Sequence, residues 1–462
     1  MKKETFSSSW GFILTAAGSA IGLGNIWRFP YFCGQYGGLS FILIYFLILF
    51  LICAPLMVSE ISIGRTSKSN CVDAFKVIGQ KVGIKHLGIW SFFGGWFAAI
   101  GVTLCISFYF LVAGWVLYYF LEAAIGKLMY IEQTQLATEF EQLTQSFSIQ
   151  LTCGWIFLFA TALIVIAGVK KGIERASMYL MPVLFIIFIL LCTRALTLDG
   201  ADKGIGFLLT FQPQYLGITE NGFNFKLLTD TFTAALGQAF ISLSLGFGPL
   251  LVYGSYFSPK ENMFKAVNNI VIFDTLAALL GAMIIIPAIF SAGLSASSGP
   301  GLTFISLPHV FQHLSGGRFW ALSFYLLLIL ATITSTISIF EVLTNLLMDK
   351  LNIKRYRAVV AVMCIAGFCF TLVAASFSGA LDIKVFGRDL FSLADWLVST
   401  YTATIVSLTI SLFVGYKAMK PIMRNIRRSA HVPEAFTRYF LITLRYIAPL
   451  SMVTLLIVSI LG

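Results

Sequence analysis

The sequence predicts an all-α membrane protein of eleven transmembrane helices, built as a five-plus-five inverted repeat with one further helix. Three observations predict it. Of 462 residues, 58% are hydrophobic and only 11% charged, against about 25% charged in soluble domains. No soluble interior could hold that much apolar surface. The apolar residues also fall into runs of about 20 or more, the length a helix needs to cross a bilayer. Finally, two of these runs, five spans apart, are interrupted by glycines in similar ways.

The spans follow in order. Span 1 (12–34) begins after a short charged start, which resembles a signal start but lacks a cleavage pattern and is read as retained. Span 2 (39–62) is a continuous apolar run ending before Arg65. Span 3 (89–124) is too long to cross upright and should tilt or protrude. Span 4 (151–169) stops at Lys170-Lys171, and span 5 (177–198) starts after Arg175. Span 6 (231–256) contains the second interruption. Span 7 (264–290) carries Asp274, and span 8 (318–348) a cluster of hydroxyls. Spans 9 (357–377), 10 (393–417) and 11 (439–461) complete the set. The chain 1–462 then reads as one polytopic domain, with repeats at 12–198 and 231–417 and the helix at 439–461 added.

Charge sets the orientation. The net charge of +11 could indicate nucleic acid, but Lys and Arg form no continuous basic face. They sit instead on alternate connections. With the N-terminus inside, all but eight of the 31 fall on the inner side, as the positive-inside rule requires. The exceptions are Arg28 within span 1 and Lys127, Arg194, Lys203, Lys226, Arg318, Lys384 and Arg388 outside. The expected location is the plasma (inner) membrane, with a cytoplasmic N-terminus and an external C-terminus. The eight cysteines form no CxxC pair, so neither a metal cluster nor a disulfide framework is indicated. No nucleophile, base or metal constellation points to an enzyme.

The interruptions carry the chemistry. Span 1 contains Ala-Gly-Ser-Ala-Ile-Gly-Leu-Gly-Asn at 17–25, and span 6 contains Ser-Leu-Ser-Leu-Gly-Phe-Gly-Pro at 242–249. Glycines in membrane helices can simply permit close packing. Two interruptions in matching positions of oppositely directed spans point instead to unwound helices at a transport site. Unwound backbone is tolerated at membrane depth only within protein or at a water-filled site. Its free N–H groups suit a carboxylate and its free carbonyls a small cation such as Na⁺. Asn25, Ser242, Ser244 and the run Ala331-Thr332-Ile333-Thr334-Ser335-Thr336 supply further oxygen ligands. Such hydroxyls can also merely bond back along their own helix. Arg28, Glu60, Asp274 and Asp395 are ionisable residues within spans, which are costly and usually functional. Arg28 and Asp395 could close an outer gate, Asp274 could face a cation, and Glu60 could brace unwound backbone.

Gly22-Leu23-Gly24-Asn25-Ile26-Trp27-Arg28-Phe29-Pro30 closely resembles the first-helix signature of the neurotransmitter:sodium symporters. Pro55-Leu56-Met57, Glu60, Gly64-Arg65, Gly237-Gln238, Ser242 to Gly248, Thr334-Ser335 and Arg445 to Pro449 extend the resemblance along almost the whole chain. It implies the leucine-transporter-like fold and a Na⁺-coupled amino-acid symporter with two sodium sites. The first would use the Ala20 carbonyl, Asn25, Ser242 and Asp274 with the substrate carboxylate. The second would use the Gly18, Ile21 and Ala331 carbonyls with Thr334 and Ser335. Leu23 and Gly24 amides and Tyr109 would meet the substrate carboxylate. Ala20, Cys105, Tyr109, Phe240, Ile241, Ser242, Ser244, Phe247, Ser335 and Ile339 would line the substrate site, with Tyr109 and Phe247 as an aromatic lid. Arg28, Gln238 and Asp395 would make the outer gate; Lys3, Ser255, Tyr256 and Asp349 the inner one.

Departures from the family pattern refine the expectation. Asp274 stands at what looks like an Asn position, which points to chloride independence. Gly22 stands where monoamine carriers hold an Asp, which favours an α-amino acid over a bare amine. The apolar lining predicts a neutral, hydrophobic or aromatic amino acid. A proton-coupled permease of the same architecture, or a sensor or channel that binds without accumulating solute, are the competing readings. The partners are the amino acid and the lipid bilayer, with monomer or homodimer left open.

Overall fold

The computed structural model describes residues 4–220, 222–293, 301–429 and 432–461. Lys3 of the expected inner gate lies outside them. The chain is overwhelmingly helical, with two short hairpins, Ile218–Thr219 with Gly222–Phe223 and Lys384–Val385 with Arg388–Asp389. Among the described residues, nine helices are long and apolar enough to cross a membrane: Leu39–Ser67, Leu87–Ile125, Phe147–Ile166, Val169–Leu196, Met263–Ser291, Gly317–Leu351, Arg355–Phe377, Leu390–Arg427 and Glu434–Ile460. They coincide with spans 2–5 and 7–11.

Spans 1 and 6 are each divided. The first helix, Ser9–Ala20, ends where Ile21 turns to extended backbone with ψ 103°, and helical structure resumes through a wide turn at Gly24–Arg28 into Phe29–Gln35. Span 6 forms Phe225–Ser242 and Pro249–Tyr256. Between them Ser244, Gly246 and Gly248 hold positive φ, a conformation L-residues avoid and glycine accepts. Pro249 then sits at the start of the second half-helix, where its missing N–H costs nothing.

Boundaries differ from the sequence expectation where charge sits close to a helix end. Span 5 begins at Val169 rather than 177, because a wide turn, Val169–Glu174, carries Lys170 and Lys171 into the helix. Span 10 runs from Leu390 to Arg427 rather than 393–417. Its last turns, Met419–Arg427, bury Ile422, Met423 and Ile426 while Arg424 and Arg427 are exposed. An amphipathic end of this kind has too few apolar residues to register as a span.

Close backbone approach locks the broken helices in place. A Cβ on Gly64 would lie 1.8 Å from the Leu251 carbonyl oxygen, and one on Gly254 would lie 2.4 Å from that of Ile61. Span 2 and the half-helix 249–256 therefore interlock through reciprocal glycines, the small-residue packing that substitutes for a hydrophobic driving force in lipid. Gly281 does the same for span 7 against the first break: a Cβ there would meet the Asn25 carbonyl oxygen at 2.6 Å.

Candidate functional site

The two breaks meet, and span 7 brings a carboxylate to the junction. Asn25, Ser242 and Asp274 are fully buried. The Asn25 Nδ2 donates to Asp274 Oδ1 at 2.8 Å, to the Asp274 carbonyl at 3.2 Å and to Ser242 Oγ at 3.0 Å. Ser242 Oγ donates to Asp274 Oδ1 at 2.8 Å, and the Tyr45 hydroxyl to Oδ2 at 3.3 Å. Asn25 Oδ1 accepts from the Gly22 N–H at 3.1 Å. A buried carboxylate needs such donors or a cation to offset desolvation. Hard oxygen donors on a buried carboxylate, amide and hydroxyl, beside the end of the Ser9–Ala20 helix, fit an alkali cation. The last carbonyls of any helix have no partner within it.

The second expected cation set also converges. Ser335 Oγ donates to the Ile21 carbonyl at 3.4 Å, and Thr334 Oγ1 to the Leu330 and Ala331 carbonyls at 3.1 and 3.0 Å. A Cβ on Gly18 would lie 3.2 Å from Thr334 Cβ. The first break and span 8 thus lie within van der Waals reach, and two hydroxyls and the Ile21 carbonyl lie between them.

Between the two sets lies the expected substrate position. A Cβ on Gly22 would fall 2.7 Å from Ser335 Oγ and 3.1 Å from the Tyr109 hydroxyl. A side chain at 22 would therefore fill the space that these groups face. Cys105, Tyr109, Ile241 and Ser244 are half-buried; Ala20, Leu23, Phe240, Phe247, Ser335 and Ile339 are buried. Ser244 Oγ donates to the Ser19 carbonyl at 2.8 Å and Ser19 Oγ to Ser338 Oγ at 2.7 Å. Of the two rings expected to form a lid, Tyr109 turns its hydroxyl toward Gly22 and Phe247 is buried in the second break, while the Ile241 side chain approaches Gly24, 3.8 Å from its Cβ position.

Support comes from Glu60, whose Oε1 accepts the Gly246 N–H at 2.6 Å inside the second break. On the outer side, Gln238 Nε2 donates to the Gly24 carbonyl at 2.8 Å. Arg28 stacks over Phe32, 5.3 Å from the ring centre. It makes no ion pair with the exposed Asp395 or any other described residue. On the inner side, the Phe6 N–H donates to the Tyr256 carbonyl at 3.2 Å, and Asp349 accepts from the Asn70 backbone and side chain, both at 3.2 Å. Among the described residues, Ser255 Oγ bonds only within its own turn, to the Val252 carbonyl at 2.7 Å. A recess of about 550 Å³ opens beside Tyr256, Asn345 and Asp349. At its rim burial pushes the Asp73 carboxyl up, but Lys350 at 2.5 Å and Asn70 outweigh it and hold the group below the usual carboxylate range.

Span 8 also buries Glu341, which stands outside the expected site. Its carboxylate is paired with Arg355 and accepts the Tyr256 hydroxyl at 2.7 Å, while Asn345 donates to the same hydroxyl. A carboxylate inside an apolar run was the available signal. Arg65 follows span 2, where a positive charge would be expected in solvent. It is buried, donating to Asn425 Oδ1 at 2.5 Å and to the Asn425 and Glu261 carbonyls at 3.0 Å. Glu174 likewise clasps the Ser7 N–H and hydroxyl.

Comparison with known proteins adds an independent line. The model of the sodium:neurotransmitter symporter family matches residues 3–144 and 129–462. The sodium-dependent transporter YhdH of Bacillus subtilis is 34% identical over 457 residues, covering 98% of this chain and 96% of that one. A sodium-dependent transporter of Haemophilus influenzae is 30% identical, covering 99% and 98%. The crystal structure of MhsT in complex with L-phenylalanine superposes with a TM-score of 0.87 at 32% identity, covering 99% of both chains.

Proposed function

The chain belongs to the sodium:neurotransmitter symporter family and is a sodium-dependent membrane transporter; from that premise we propose that it imports a neutral, hydrophobic or aromatic amino acid by alternating access. The observation that carries this reading is the buried Asn25–Ser242–Asp274 cluster at the junction of two broken helices. Eleven crossings follow when the two divided spans are added to the nine continuous ones. The five-plus-five repeat follows from the matching positions of the two breaks. The N-terminus is then cytoplasmic and the C-terminus external.

Two cation sites are proposed. Asn25, Ser242, Asp274 and the Ala20 carbonyl would hold one Na⁺ beside the substrate carboxylate. Gly18, Ile21, Ala331, Thr334 and Ser335 would hold the other. Each Na⁺ moving inward gains about 2.3 kcal/mol per 100 mV of membrane potential, which can drive uphill uptake. The Leu23 and Gly24 amides and the Tyr109 hydroxyl would orient the carboxylate. Cys105, Phe240, Ile241, Ser244, Phe247 and Ile339 would enclose the side chain, and no charged group among them faces it. MhsT, with L-phenylalanine in its crystal structure, supports a substrate of that size. Arg28 and Asp395 feel one another's charge without a direct ion pair, which supports an outer gate that this pair closes after substrate binds. Tyr256, Ser255, Asp349 and Lys3 would control the inner side.

Asp274 puts a carboxylate at this site, and its charge beside a bound Na⁺ would do the work of an added anion, which supports chloride-independent transport. Proteoliposomes loaded for an inward Na⁺ gradient test the whole reading. Accumulation of one or more neutral amino acids from a panel of twenty, equal in chloride and gluconate, is expected. Loss of uptake in gluconate would sink chloride independence, and binding without accumulation would sink symport.

A further inference from the structure

A second cavity, of about 620 Å³, lies at the start of span 3 against the wide turn Phe413–Ala418 of span 10, away from the transport site. Lys85, His86 and Lys417 supply its polar lining and Ile89, Trp90 and Tyr416 its walls; no carboxylate lines it. Lys85 and Lys417 are exposed and make no hydrogen bond or ion pair with any described residue. Lys68, by contrast, gives its ammonium to the Ser255 and Phe257 carbonyls.

The aromatic walls are fixed from behind. Trp90 packs on Phe413 with ring centres 5.4 Å apart. The Tyr416 hydroxyl donates to the Arg445 carbonyl at 3.0 Å, and the Arg445 guanidinium lies over the Tyr416 ring at 5.4 Å. From Ile89 an exposed apolar stripe then continues along span 3 through Phe92, Phe93, Trp96 and Ile100, a spacing that puts them on one helix face. The two parts ask for different chemistry: the cavity for an anion, the stripe for a hydrocarbon chain.

We propose that this cavity holds the phosphate headgroup of an anionic phospholipid, with an acyl chain along the Ile89–Ile100 stripe. Two unpaired ammonium groups match the phosphate as point charges. Trp and Tyr at the headgroup level anchor the interface. The site lies on the side that the Lys and Arg distribution assigns to the cytoplasm, where anionic lipid concentrates. Lysines serving only as a topology signal would bind no lipid saturably.

The test uses the full-length protein in detergent, titrated with phosphatidylglycerol or with phosphatidylcholine of the same chains, and read by native mass spectrometry. Saturable binding of phosphatidylglycerol, weakened roughly 30-fold in Lys85→Gln/Lys417→Gln, is expected. Lys260→Gln/Lys265→Gln, which removes the same charge elsewhere on that side, should leave binding unchanged. Equal weakening in both pairs overturns the site, as does equal binding of phosphatidylcholine. Competition by millimolar inorganic phosphate alone overturns the lipid assignment in favour of a simple phosphate site. Should the variants fail to fold, phosphatidylglycerol with a photoreactive headgroup is crosslinked to the unaltered protein. Adducts within 82–90 and at 416–417 support the proposal, and adducts confined elsewhere overturn it.

Discussion

Asn25→Ala removes the amide that joins the two broken helices to span 7. That amide makes three donations, two of them to Asp274 and one to Ser242, and accepts the Gly22 N–H. A hydrogen bond to a charged group contributes about 1.5–3 kcal/mol, and a buried N–H left without a partner costs about 1–3 kcal/mol. The variant therefore loses roughly 2–4 kcal/mol of stability. It also loses a proposed cation ligand and the donor that orients the carboxylate. A net loss of about 2 kcal/mol in cation binding corresponds to about 30-fold weaker Na⁺ affinity. Ser242→Ala removes one donor to Asp274 Oδ1 and should cost less, about tenfold. The assay is Na⁺ titration of labelled amino-acid binding to purified protein at constant ionic strength, with melting temperature measured in parallel. If both variants are folded and the Na⁺ concentration for half-saturation moves less than threefold in each, the Asn25–Ser242–Asp274 cluster is not a cation site.

Ser335→Ala deletes a hydroxyl of the second set without opening a cavity, and Na⁺ half-saturation should rise about tenfold with the melting temperature nearly unchanged; an unaltered titration contradicts the second site. Gly281→Ala forces a Cβ within 2.6 Å of the Asn25 carbonyl oxygen, so the first break must shift, and sodium-dependent binding should fall by more than tenfold even where the protein still folds. Glu341→Gln leaves Arg355 with a neutral partner in a buried setting, for which the expected loss is about 3–5 kcal/mol. Glu341→Gln/Arg355→Met should recover part of it in thermal unfolding, and no recovery would mean that the pair is not coupled.

Much of this protein follows from its sequence alone. Run length and composition determine that it spans a membrane many times, because hydrocarbon must be matched residue by residue along each helix. Gly22-Leu23-Gly24-Asn25 and Ser242 to Pro249 mark the breaks, because glycine and proline act on the local backbone, and local backbone preference needs no partner to express itself. Asn25, Ser242 and Asp274 could each be named as candidates for the same reason: a polar group inside an apolar run is conspicuous on its own. What they touch was another matter. That Asn25 bonds Asp274 across 249 positions, that Arg65 is buried against Asn425 instead of solvated at a loop, and that Glu341 pairs with Arg355 and Tyr256 were decided by tertiary structure. So was the placing of Tyr109 beside Ser335 and Gly22. A charge in a membrane protein is tolerated through its neighbours, and those neighbours are set by how helices distant in sequence pack, through contacts such as Gly64 on Leu251 and Gly281 on Asn25. The sequence could show which residues needed partners; only the packed helices supplied them.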